Sequence, residues 1–124
     1  MEIEVSIGEI VDKLSILNIK KDNIVDEVKL ENINKEYLYL HEIVFAKLNI
    51  SFDDDYLVLL EVNKLLWVVE DKLRDKERSK EFDSEFIELA RSVYFINDKR
   101  SRIKKEINEK YSSGFIEEKS YKPY

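Results

Sequence analysis

The chain has no cysteine, one proline, two glycines and a single histidine in 124 residues. Without cysteine there is no disulfide framework, no thiolate metal site and no cysteine nucleophile. The lone histidine, His41, follows Leu38 by three positions, so the paired Glu-x-x-His motifs of a di-iron bundle are absent. Neither a phosphate-cradling glycine-rich loop nor a G-x-S-x-G elbow occurs. No apolar run approaches the roughly 20 residues that cross a bilayer, and no signal-peptide pattern opens the chain. These exclusions predict one cytoplasmic domain over residues 1–124, with no membrane partner.

Charge and helical periodicity dominate what is present. Apolar residues make up 44% and charged residues 39%, and the net charge of −6 disfavours general polyanion binding. So little glycine and proline leaves few interruptions, and the apolar spacing agrees with helix almost throughout. Glu2 to Val5 alternates polar and apolar, which predicts a short extended segment with Ile3 and Val5 facing inward. Ser6 and Glu9 then have capping-box spacing at the start of a first helix over 7–25. Its seam runs through Ile7, Ile10, Leu14 and Leu17. A second helix over 29–48 carries Leu30, Ile33, Tyr37, Leu40, Val44 and Leu48.

The third helix, over 54–78, begins among three aspartates that oppose the positive end of its dipole. Leu57–Leu60, Val62 and Leu65–Val69 are so continuously apolar that this helix is expected at the centre, or in a dimer contact. The fourth helix, over 84–112, is capped by Asp83 and broken in its seam by Arg100. A tail over 115–124 completes the chain, and its Phe115-Ile116 pair could meet Ile3 and Val5 as a minimal ribbon. The predicted fold class is all-α: four main helices in an antiparallel, bundle-like arrangement with short extended ends.

Chemistry would reside where charge interrupts an apolar seam, because an unpaired buried charge is costly. Glu9, Asp12 and Lys13 share the first helix; Glu70, Asp71 and Arg74 follow Trp67 on the third; Arg91, Asn97 and Asp98 lie on the fourth. Were these helices neighbours, Glu9, Asp12, Glu70, Asp71 and Asp98 could ligate magnesium or manganese through oxygen. With 27 acidic residues, about six acidic pairs spaced three apart arise by chance, so Glu9-x-x-Asp12 alone says little. A buried salt-bridge network that fixes helix register has the same appearance. Lys99–Lys105 holds five cations in seven positions, a pattern that complements a helix C-terminus better than it announces nucleic-acid binding.

Four stretches together carry a resemblance: Glu4–Leu14, Leu66–Asp71 with Arg74, Glu88–Tyr94 with Asn97-Asp98, and the closing Glu117-Glu118-Lys119-Ser120-Tyr121. Taken as a set, they resemble a family of small bacterial and viral proteins catalogued as a domain of unknown function, with an E-E-K-S-Y ending. The resemblance implies a whole family member, with the Glu117–Tyr121 ending part of the domain, and it brings no activity. Function is therefore expected to be a non-catalytic interaction or assembly module. It would form a homodimer through helices one and three and could meet a further protein partner. The alternative is a magnesium-dependent hydrolase of a nucleotide or other phosphate compound, with Arg74 or Arg91 on phosphate. No cofactor is expected outside that alternative.

Overall fold

The computed structural model describes residues 2–111, and four α-helices account for most of them, with no strand among the described residues. The helices are α1 (Ile7–Asn23), α2 (Glu27–His41), α3 (Leu57–Arg78) and α4 (Ser84–Lys110). Each start has a chemical cause. The Ser6 hydroxyl accepts from the Glu9 N–H, Asp26 from Lys29 and Asp83 from Phe86, each cap satisfying a backbone donor in the first turn. Two wider π-helical turns link α2 to α3, Glu42–Lys47 and Phe52–Tyr56, the second opened by Ser51 accepting from the Asp54 N–H. They swing Val44 fully into the core and stack Phe45 against Phe52 and Tyr56 at 5.6 and 5.2 Å.

α3 ends in a Schellman motif. The Glu81 N–H bonds the Lys76 carbonyl and the Lys80 N–H bonds that of Glu77, with Lys80 at φ 56°. The chain then doubles back, and α3 and α4 form an antiparallel hairpin.

α1 is the helix that packs against all three others. Its N-terminal Gly8 meets Asn108 of α4, Asp12 in its middle meets both Asn63 and Arg100, and Asn18 meets Tyr56 at the start of α3. These contacts all fall in the half of the hairpin away from its tip. The core gathers there: Val11, Leu14 and Ile19 of α1, Val44, Ile50 and Tyr56 of the linker, Leu59, Leu60 and Val62 of α3, Ile103 and Ile107 of α4. α2 rests chiefly on α1, and none of its residues is fully buried.

α1 and α3 share the centre: α3 packs against α1, α4 and the second π-helical turn, and α1 buries Gly8, Asp12 and Ser15 on one side and Leu14 and Leu17 on the other. One expectation changes. Ile3 and Val5 do not turn inward; Ile3 is 78% exposed, because no strand partner pairs with it among the described residues. The expected ribbon with Phe115-Ile116, the tail and the Glu117–Tyr121 motif lie outside the described residues.

Candidate functional site

Asp12 is the polar residue around which the molecule is organised. It lies between Val11 and Leu14 on the buried side of α1 and is 1% exposed. A carboxylate can stay ionised there only if its charge and lone pairs are met. Oδ1 accepts from Asn63 Nδ2 and from Arg100 Nε, both at 2.9 Å, and Oδ2 accepts from Arg100 Nη2. The guanidinium engages both oxygens, the geometry that makes arginine–carboxylate pairs strong. Lys104 Nζ lies 3.9 Å from Oδ2 and bonds the Glu9 carboxylate at 2.7 Å. Asn63 also donates to the Ser15 hydroxyl, which donates in turn to the Asp12 carbonyl, each at 2.7 Å. One side chain of α1 is thereby fastened to α3 and α4 together.

One turn earlier the backbones themselves touch. The Gly8 N–H donates to Asn108 Oδ1 at 2.6 Å, and a Cβ on Gly8 would stand 2.6 Å from the Lys104 carbonyl oxygen. Only glycine admits α4 this closely. Asn108 Nδ2 is buried without a hydrogen-bond partner among the described residues, an expense tolerated beside that contact.

A second polar tie closes the open end of the hairpin. Asp55, nearly buried, accepts from the Tyr111 hydroxyl and from Lys110 Nζ at 3.1 Å, while the Tyr111 oxygen accepts from the Ser51 N–H at 2.9 Å. Asp55 also holds the Lys110 ammonium above its ordinary pKa. Nearby, Tyr56 is packed against Phe45 and Phe52, and burial pushes its phenol up despite the hydrogen bond from Asn18.

The residues singled out from sequence divide between these places. Glu9 and Asp12 are brought together, facing Lys104 and Arg100. Lys13 is turned away and pairs with Glu36 of α2 at 2.8 Å. Glu70 and Asp71 share Arg74, at 4.0 and 3.3 Å, on the exposed part of α3. Arg91 is exposed, and Asn97 and Asp98 are half-buried on α4. The five carboxylates therefore do not assemble as ligands: no three His, Asp or Glu side chains among the described residues could hold a metal ion. The physical reason is that Asp12 meets α3 at Asn63, while Glu70 and Asp71 lie two turns further on and pair with Arg74.

Sequence reasoning did not pair Arg100 or Asn63 with Asp12, and did not place Ser15, Lys104 and Asn108 in the network. The available signal was Arg100 interrupting the apolar seam of α4, which is what the partner of a buried carboxylate must do. His41 stacks between Tyr37 and Phe45 at 5.7 and 4.8 Å and is exposed, a boundary position.

Two hollows border these groups. A pocket of about 200 Å³ lies between Ile16, Ile19, Asn63, Leu66, Trp67, Glu70 and Arg100, below the 300 Å³ or so at which small-molecule sites begin. An open cleft of about 520 Å³ runs past Asp54, Asp55, Val58, Ile103, Glu106, Ile107, Glu109 and Lys110. Its rim is acidic and its only lysine is engaged by Asp55. No helix among the described residues is long and apolar enough to cross a membrane.

Comparisons with protein-family models, with curated proteins and with solved structures find no match.

Proposed function

We propose that this chain is a non-catalytic assembly module whose buried polar residues lock the fold and whose α3–α4 hairpin presents the working surface. The observation that carries this reading is the contrast between Asp12 and Leu65. Asp12, best placed by burial to do chemistry, has both oxygens taken by Arg100 and Asn63. Leu65 and Val68 are 53% and 48% exposed on α3, and Ile87 is as open on α4. Apolar side chains exposed next to one another on a helix face, as Leu65 and Val68 are, mark a place where another protein can bind. The apolar side chains of α1 are used inside the chain, so self-association runs through α3 rather than through α1 and α3 together.

Sedimentation over a concentration series tests this. The expected result is a mass that rises from one chain to two, and a Leu65→Asp chain that stays monomeric with an unchanged helical spectrum. A wild-type mass fixed at one chain into the high micromolar range overturns self-association. Thermal unfolding with millimolar Mg²⁺ or Mn²⁺ and a nucleotide panel is expected to show no shift. A rise of several degrees would point instead to the hydrolase reading.

A further inference from the structure

We infer that a second copy of this chain docks on the face of α3 formed by Glu61, Leu65, Val68 and Lys72, the two α3 helices running antiparallel about a two-fold axis between residues 66 and 67. This rests on the assembly reading above and adds to it the identity of the partner and the register of the contact. The four residues are spaced four, three and four apart, so they form one continuous stripe along the helix. All four are exposed. The stripe lies on the side of α3 away from Tyr56, Leu59 and Asn63, which face the core and α1.

A two-fold contact requires a surface that complements itself. Read outward from the midpoint between 66 and 67, the stripe meets that requirement at each step. Leu65 and Val68 are equidistant from the midpoint, as are Glu61 and Lys72. An antiparallel copy therefore sets Leu65 against Val68 and Glu61 against Lys72, twice over. The apolar pair lies at the centre, and the opposite charges lie at both rims, the order found across protein interfaces. Glu61 and Lys72 take no part in the ion pairs of the described residues, whereas Glu70, Asp71 and Arg74 on the same helix pair with one another. In a parallel pairing Glu61 would face Glu61 and Lys72 would face Lys72, a like-charge arrangement that selects against it.

Because the chain has no cysteine, the register can be read by disulfide formation. Glu61→Cys and Lys72→Cys chains are prepared separately and oxidised alone and as a mixture. In the antiparallel register residue 61 faces residue 72 of the other copy. Each lies about 16 Å from its own symmetry mate, from roughly 1.5 Å of rise per residue, too far to bridge. The expected result is a covalent dimer from the mixture and little from either chain alone. In parallel, Glu61→Lys and Lys72→Glu are each expected to weaken the dimer about tenfold, since each alters two symmetric pairs, and the double exchange to restore it.

Linkage of either chain with itself, or equal linkage everywhere, overturns the register while the assembly reading stands. A protein monomeric in sedimentation overturns the second copy as partner.

Discussion

The two ends of the α3–α4 hairpin are made of the same two helices and live in different surroundings. At the open end, α3 buries Leu59, Leu60, Val62 and Asn63, and α4 buries Ile103, Lys104, Ile107 and Asn108. Toward the tip, α3 keeps only Leu66 and Val69 buried, and not one residue of α4 from Ser84 to Arg102 is. The cause is the position of α1, whose polar contacts fall at Asn63, Arg100, Lys104 and Asn108, in the open half of the hairpin. The difference teaches how this chain divides its labour: stability is concentrated under α1, and apolar surface is left available along the stem.

The sharpest way to break that contrast is Asp12→Ala. It removes the buried carboxylate that Arg100 and Asn63 both bond, and a loss of about 3–5 kcal/mol is expected in denaturant unfolding. Asp71→Ala, on the exposed stem, is expected to change stability by less than about 0.5 kcal/mol. Gly8→Ala is next, at about 1–3 kcal/mol, because the new Cβ meets the rigid Lys104 carbonyl rather than a side chain that could swing aside.

Native-state hydrogen exchange sharpens the comparison without mutation. Amides of α4 near Ala90 and Val93 are expected to open at lower free energy than those near Ile107. Equal protection along α4 would mean that the stem shares the stability of the base.

At the tip, Lys76 reaches Asp83, Glu85 and Glu81, which hold its ammonium far above the usual lysine pKa. Asp83 is held below the usual carboxylate range by the hydrogen bond from Lys76 and then by that from the Phe86 N–H. A depressed carboxylate stabilises the fold above its unfolded value and loses that contribution as pH falls through its folded value. A raised lysine contributes below its unfolded value and loses it as pH rises through the folded one. The tip is therefore expected to stay closed from about pH 4 to about pH 10 and to loosen outside that window. The Phe86 amide resonance would report it.

The smallest effect is a gain. Lys80→Gly relieves a left-handed residue in the Schellman turn and is expected to add up to about 1 kcal/mol, seen as a higher melting temperature.

Helix identity was legible because it depends on local chemistry. Ser6 and Asp83 cap where their spacing says they should, and the four apolar periodicities became four helices. The two π-helical turns were not legible, because they are set by how Val44 and Phe45 reach a core assembled from α1 and α3. At the polar cluster, Asp12 was identifiable as a charge inside an apolar stripe. Its partner was not, since Arg100 lies 88 residues away and nothing local links them. Glu70 and Asp71 could join Asp12 only by standing level with it, and they lie two turns past Asn63, paired with Arg74.

The reach of Asp12 also makes the seating of α1 conditional on the hairpin. The α3–α4 hairpin closes through contacts near in sequence and can form early. α1 cannot bury its carboxylate until Arg100 and Asn63 stand opposite each other, which only a correctly aligned hairpin provides. Docking of α1 therefore reads the alignment of the hairpin: one that slips by one residue presents no matched pair to Asp12.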